Sequence, residues 1–393
     1  MPVNTKDKRL IWISPLILDV DFHKTTQTEV LRALTKRGYE TFLVASYSSK
    51  KTTYEQSALH TLSFPVRYIP FVSTIAYVFL VFLFLPFFLL RYRPNVVIVE
   101  PLTAVHGAEV KAFSKFLKTK VVLDIRSGPV GKSGLALGLS FNLGIGLAKK
   151  LFDGITTITP LSKELLCRRF DIETEIVGVW TSGVSTELFV PQPNIGNEMR
   201  KKLGLAGKFV VFYHGSFGSP EIPRGLVETI KAVGLLGNKY SDIVLFLLGT
   251  GSIDLMNIAN AIGVKERVII HAPVDYHNVP KYIAMCDVGI VPLPNLSYWR
   301  HQCPLNLLEY LAMNKMVIAN DIPANRNILD NSKCAVFTSS SDPQKIADAI
   351  IKTYEHRNII STLGALGRTI VENEFSWNAV SRNLDAYLAK LQQ

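Results

Sequence analysis

A chain of 393 residues, 48% hydrophobic and 19% charged, can bury more than one ordinary core, and its length favours two or three domains. It is too apolar for a disordered chain. Its formal charge of +11 suits an anionic membrane face or phosphorylated substrates; no zinc-finger spacing, basic helix or aromatic RNA-binding signature points to nucleic acid. The cysteines Cys167, Cys286, Cys303 and Cys334 are scattered without a C-x-x-C pair, as expected of reduced cytosolic thiols, and the start MPVNTKDKRLIWI lacks a secretory apolar stretch.

Arg9 to Ile13 reads as a buried strand, followed by a loop from Ser14 to Lys24. Thr26 and Glu29 form a capping box for a helix through Lys36, ended by Gly38, and Thr41 to Ala45 is the next strand. Strand, loop, helix and strand make the opening βαβ unit of a doubly wound α/β sheet, so Ser14 to His23 should border a site at the carboxyl ends of the strands. Residues 66 to 69 suggest another strand. After it comes FVSTIAYVFLVFLFLPFFLL, residues 71 to 90, twenty residues without a charge, flanked by Arg91 and Arg93. The run is long enough to span a bilayer, but the strands expected on either side belong to one sheet, and Pro86 interrupts it. An apolar helix lying in the interface of the cytoplasmic leaflet is the expectation. NVVIVE, residues 95 to 100, is a strand followed by a helix that includes Glu109 to Leu117, and His106 follows the strand end. Lys120 to Ile125 is a strand ending in Arg126 and Ser127, where Arg126 is either a solvated charge or a substrate contact.

Pro191, Pro193, Asn194 and Gly196 mark a linker, which divides the chain into residues 1 to 192, 193 to 372 and a final helical segment, 373 to 393. Lys208 to Tyr213 is a strand running into HGSFGSPEIPRG, where Gly215 and Gly218 allow backbone amides near a ligand and Arg224 could bridge a diphosphate. Asp242 to Leu248 is a strand ending in Gly249, and Val268 to His271 is another. Asp287 to Pro292 is a buried strand handing off through a polar, aromatic loop to a helix from Pro304 to Met313. Pro304 suits a first helical position, and the first-turn amides of Leu305, Asn306 and Leu307, at the positive end of the helix dipole, suit a phosphate. Glu309, one turn in, suits two sugar hydroxyls better than an anion. Together these features read as a nucleotide-sugar site.

The stretch PLNLLEYLAMNKMVIANDIP resembles the donor-binding segment of the retaining glycosyltransferases of family 4 (group 1), roughly P-L-K-x-x-E-Y-x-A-x-x-K-P-V-V-A-x-D-x-P. FDGITTITPLSKELLCRRF and IVGVWTSGVSTELFVPQ resemble two further family segments. The resemblance implies the GT-B architecture, two Rossmann-like domains facing across a cleft, with the last helix crossing back to the first. It implies that Glu309 holds the donor ribose and that the nucleobase rests on backbone groups near Val274. Gly215, Ser216, Gly249 and the helix start would complete the donor site, with Arg224 and Glu309 the groups closest to catalysis. Ser14, His106 and Arg126 fall on the acceptor side. This sequence departs from the family pattern at His301, which replaces a common glutamate, at Asn306, which replaces a lysine, and at Ser216, which replaces an arginine.

The implied activity is retaining transfer of a sugar from a nucleotide-sugar to a hydroxyl acceptor, lipid-linked or glycan, without metal or other cofactor, by a protein peripheral to a membrane. A sugar-nucleotide epimerase or phosphorylase of the same fold, or a noncatalytic donor-binding scaffold, are the alternatives. An epimerase would hydrolyse or isomerise the donor without an acceptor, and donor hydrolysis or transfer by the purified protein would exclude the scaffold.

Overall fold

The computed structural model describes residues 8–18, 25–47, 60–66, 69, 72–128, 135–330 and 332–393; the side chains of Lys115 and of residues 135–137 are also outside the description. It divides into two compact units, 1–181 with 377–393, and 182–376. The sequence placed these divisions at 192 and 372. They fall instead at Thr181 and Ser376 because Val184 bridges to Ser376 and its amide donates to the Phe375 carbonyl, closing the second unit on itself.

In the first unit the strands are β1 (Arg9–Ile17), β2 (Glu40–Tyr47), β3 (His60–Pro65), β4 (Val96–Val99), β5 (Lys120–Ile125), β6 (Gly154–Thr157) and β7 (Val177–Val179). The helices are α1 (Thr25–Lys36), α2 (Val72–Tyr92), α3 (Ala104–Leu117), α4 (Leu135–Leu151) and α5 (Pro160–Phe170). The sheet is parallel, in the order β3-β2-β1-β4-β5-β6-β7. Continuous apolar runs such as VVIV in β4 are buried on both sides, as expected of a sheet with helices on each face. Leu10, Trp12, Leu43 and Ile98 face α1 and the last helix of the chain, Trp377–Gln392, while Ile11, Val44, Val97 and Leu123 face α2, α3 and α4.

Three local expectations are corrected. Ser14 lies in β1 rather than a loop, because the strand resumes at Ile17 after an irregular register; His23 falls outside the described residues. Helix α1 starts at Thr25, so Thr26 lies within its first turn instead of capping it. Of the strand expected at 66–69, residues 67 and 68 fall outside the described residues and Val66 lies just beyond β3; the sequence HTLSFP of β3 sits at the sheet edge, paired on one side only.

Helix α2 is two-faced, where its sequence reads as apolar all round. Ser73, Tyr77, Val81, Leu85 and Leu89, four residues apart, form its buried stripe, and the Tyr77 hydroxyl donates to the Val44 carbonyl at 2.8 Å. The opposite face leaves Ile75, Phe79, Phe82, Leu83, Phe87 and Leu90 between 54% and 70% exposed. Because α2 joins β3 to β4 within one sheet and packs on it, it does not thread a bilayer.

The second unit contains α6 (Pro193–Lys202), β8 (Phe209–Ser219), β9 (Ile222–Pro223), α7 (Leu226–Leu235), β10 (Ile243–Gly251), α8 (Leu255–Ile262), β11 (Val268–His271) and α9 (Val279–Met285). It continues with β12 (Val288–Val291), α10 (Leu305–Ala312), β13 (Met316–Asn320), α11 (Pro323–Leu329), β14 (Ala335–Thr338), α12 (Pro343–Glu355) and α13 (Ile360–Ile370). The last helix of the chain is then α14. The sheet order is β11-β10-β8-β12-β13-β14, all parallel, with β9 folding back antiparallel on β8. Each unit is thus a Rossmann-like parallel sheet between helices, the α/β class read from the sequence.

Candidate functional site

In the second sheet the strand order reverses between β8 and β12, and open α/β sheets hold ligands outside the carboxyl ends of the strands at such a point. Residues 214–218, the loop after β12 and the start of α10 all emerge there. Sequence reading ends β8 at Tyr213 and makes HGSFGSPEIPRG a loop. The strand instead runs on to Ser219 and turns into a hairpin with β9 that delivers Arg224. Gly215 adopts φ 122° and pairs with Gly249, φ 153°. Gly225, φ 78°, sits where a β-carbon would lie 1.9 Å from the Pro292 carbonyl oxygen, so only glycine brings the residue after Arg224 this close to the end of β12.

Arg224 makes no hydrogen bond among the described residues, and its buried Nε has no partner. Its guanidinium lies 4.3 Å from the ring centre of Trp299, whose indole donates to the Pro223 carbonyl at 3.0 Å. The hydroxyl of Tyr298, the next residue in the loop, is likewise buried without a partner. Two orphaned donors on one loop and hairpin form an anion-seeking arrangement. Ser216 is exposed, its hydroxyl accepting from the Gly218 amide at 3.1 Å.

Helix α10 begins at Leu305, with Pro304 extended just before it rather than as its first residue. Asn306 uses its side chain internally: Nδ2 donates to the His214 carbonyl at 3.3 Å, and Oδ1 accepts from the Leu307 amide at 3.0 Å. The amides of Leu305 and Asn306 remain as the open first-turn donors. Glu309 is 3% exposed, and its carboxylate is already engaged. Oε1 accepts from the Tyr276 hydroxyl at 3.0 Å, and Oε2 lies 3.0 Å from His214 Nε2 without hydrogen-bond alignment. The sequence expects this carboxylate to be open to two ligand hydroxyls; the structure leaves it only the lone pairs beyond these contacts. His301 is half-buried, and burial together with the Arg300 charge holds its imidazole below its usual range. Val274 lies half-buried in the exit from β11.

In the first unit, the Ser14 hydroxyl donates to Glu100 at 2.6 Å. Arg126 lies 3.7 Å over the Trp180 ring and donates to the Trp180 carbonyl. His106 is fully buried inside α3, 3.3 Å from Glu109, and offers no surface to a ligand. Sequence reading missed Glu100, Asp124, Gln27, Tyr276, Tyr298 and His214 as site groups. Glu100 and Asp124 were visible as the last inward positions of strands whose earlier inward residues are apolar; Tyr276 carried no local signal.

Residues 208–356 match the family model described as glycosyl transferases group 1. The D-inositol 3-phosphate glycosyltransferase of Arthrobacter sp. (strain FB24) is 24% identical over 62% of this chain and 58% of its own length. A GDP-mannose-dependent alpha-(1-6)-phosphatidylinositol monomannoside mannosyltransferase of Mycobacterium tuberculosis is 23% identical over 52% of this chain and 54% of its own. The chain therefore spans somewhat more than half the length of these curated relatives. Among solved structures, Anabaena HepE in complex with UDP superposes with a TM-score of 0.76 at 15% identity, covering 98% of this chain and 100% of that one.

Proposed function

Since this chain has the GT-B fold and carries a domain of the group 1 glycosyltransferases, we propose that it transfers a sugar, with retention, from a nucleotide-sugar donor to a hydroxyl acceptor presented at a membrane surface. The observation that carries this reading is the convergence of an unpaired Arg224, the open amides of α10 and the buried Glu309 at one switch point of the second sheet. In the step proposed, the bond from the anomeric carbon to the phosphate oxygen breaks and a bond to the acceptor oxygen forms. The acceptor proton passes to the departing phosphate. Arg224 and the helix start compensate the charge that builds on that phosphate, so this falls to protein groups rather than to a metal. The names of two relatives support the donor class, one being GDP-mannose-dependent and one solved with UDP.

The membrane part of the proposal rests on the outer face of α2. Val105 and Phe116 of α3, and Leu139 and Leu143 of α4, extend its exposed apolar surface on the same side of the sheet. Helices that connect parallel strands all run antiparallel to them, so the carboxyl ends of α2, α3 and α4 lie at one edge. Arg91, Arg93, Lys118, Lys149 and Lys150 stand exposed there. An apolar face rimmed by cations fits an anionic lipid surface. Thermal-shift measurements against UDP-, GDP- and ADP-sugars test the donor: a ligand at 100 times its dissociation constant adds about 2.7 kcal/mol. Absence of any shift, together with no sugar transfer or donor hydrolysis, overturns the assignment.

A further inference from the structure

Helix α10 ends with all but one of its last carbonyls taken by its own chain. The Met313 amide donates to the Glu309 and Tyr310 carbonyls, the Asn314 amide to Leu311 and the Lys315 amide again to Tyr310. Ala312 is left, and Arg368 of α13 takes its carbonyl through Nη1. A cation suits this end, the negative pole of the helix dipole. Helix α13 reaches it by lying flush on α10. A β-carbon on Gly364 would lie 2.1 Å from the Asn314 carbonyl oxygen, and one on Gly367 would lie 2.6 Å from the Leu311 side chain. Two glycines thus bring the guanidinium to the helix end.

The same guanidinium does more than cap. Nη1 also donates to the Phe189 carbonyl at 2.9 Å, Nη2 to the Thr186 carbonyl at 3.3 Å, and Nε to the Glu372 carboxylate at 2.7 Å. The rigid planar fork of arginine serves these partners at once, which the single ammonium of lysine could not. The segment it grips, residues 184–189, is held at its other end as well. There the Val184 amide donates at 2.9 Å to the carbonyl of Phe375, in the π-helical turn Val371–Phe375 that follows α13. Fixed at both ends, the segment sets the fully buried Phe189 edge-on against Tyr276, with ring centres 5.5 Å apart. Tyr276 in turn donates to Glu309 Oε1 at 3.0 Å. Two paths therefore run from Arg368 to the Glu309 carboxylate, one along the last turn of α10 and one across Phe189 and Tyr276. Both lie wholly within the second unit. Eight residues of α-helix are about 12 Å long, so Arg368 stands well away from the open amides at the start of α10 and acts through other groups.

We propose that Arg368 is a positioning residue for Glu309. It fixes the end of α10 and the ring of Tyr276 together, so that the lone pairs Glu309 keeps free point at the hydroxyls of a bound nucleoside diphosphate. Direction matters here because a hydrogen bond weakens steeply once its angle is lost. The inference deepens the nucleotide-sugar reading of the second unit and rests on it for the ligand. An Arg368 that only braced the fold would support every ligand of the unit alike.

The test is a double-variant cycle on the full chain, read by isothermal titration with UDP, GDP and ADP, and with inorganic pyrophosphate, which carries no sugar hydroxyls. Arg368→Lys keeps a cation at the helix end but loses the fork. It should weaken the nucleotide that wild type binds best about tenfold, the worth of roughly one hydrogen bond to a charged group, and leave pyrophosphate affinity within about twofold. In a Glu309→Gln background the same change should cost less than about twofold, because the group it positions is already impaired. Phe189→Leu cuts the ring path alone and should show the same selectivity with about a threefold loss; it decides if Arg368→Lys fails to fold. Equal losses in the two backgrounds, or equal losses of nucleotide and pyrophosphate, overturn the positioning role. Unchanged nucleotide affinity in folded Arg368→Lys does so too. If wild-type protein binds no nucleotide, the nucleotide-sugar reading falls and this inference with it; nucleotide binding without the coupling overturns the inference alone.

Discussion

Gly249 lies so close to Gly215 that a β-carbon on the first would sit 1.9 Å from the carbonyl oxygen of the second. With φ of 153° and 122°, the pair lets the ends of β10 and β8 run together beside the proposed donor site. Gly249→Ala should separate them, costing about 1–3 kcal/mol of stability. Nucleotide affinity should fall with it, measured by denaturant unfolding and by UDP and GDP titration.

Glu309→Gln should preserve the fold but weaken donor binding. A carboxylate that already accepts from Tyr276 loses acceptor capacity as an amide, and each charge-assisted bond is worth about 1.5–3 kcal/mol. Tyr276→Phe separates the two roles, since it removes the internal bond and leaves the carboxylate. An unchanged donor Kd in Glu309→Gln rules out contact between this carboxylate and the donor.

Arg224→Ala should weaken nucleoside diphosphate binding more than nucleoside monophosphate binding. Arg224→Lys should rescue little, because lysine offers no plane to lie over Trp299 and no fork for two phosphate oxygens. Isothermal titration with the two ligand classes reads the difference. Equal losses would trace the defect to a displaced Trp299.

Burial lifts the Glu100 carboxyl above its usual range, with the Asp124 charge adding to the effect. It lifts Asp124 too, against the opposing charge of Arg126. A carboxyl whose folded value is raised contributes stability that is complete below the ordinary carboxylate range and is lost as pH rises through the raised value. Glu100→Gln removes that loss. The Tm of the variant relative to wild type should therefore be higher at pH 8 than at pH 5, and a difference independent of pH would show that the carboxyl is not buried as a charge.

Replacing Phe79, Phe82 and Phe87 with serine removes apolar surface that is 57–61% exposed, so it should barely change unfolding free energy. Flotation with anionic liposomes should fall sharply, while nucleotide binding stays intact. Wild-type protein that ignores anionic vesicles at low salt would dismiss the lipid surface.

Much of this was legible because parallel strands buried on both faces announce themselves as apolar runs, as in VVIV of β4 and VGIV of β12. The positions of Arg224, Glu309 and the start of α10 follow from local spacing and from the family pattern. Long-range closure was not legible. Nothing near Val184 signals that its partners are Phe375 and Ser376, nor does Tyr276 signal that it will reach Glu309. The continuation of β8 through Gly215 and Gly218 was hidden because glycines favour turns locally, and only pairing with β10 and β9 holds them extended. In α2, composition concealed a stripe that only packing against Val44 and Phe64 defines.

Helix α14 gives the first unit a peculiar dependence on the order of synthesis. Trp377, Val380, Leu384 and Leu388 cover a face that includes Leu10, Trp12 and Val96, and Arg37 and Tyr39 reach Ser381 and Asp385. Leu10 and Trp12 leave the ribosome almost the whole chain length earlier, and Trp180 of the same cluster about half of it earlier. During translation the second unit has all its own residues available before the first does, and the apolar side of the earlier sheet waits uncovered until the last turns of helix emerge. Slow synthesis of residues 377–393 would therefore prolong the exposure of that face, making the nascent first unit the part of the molecule most in need of a chaperone.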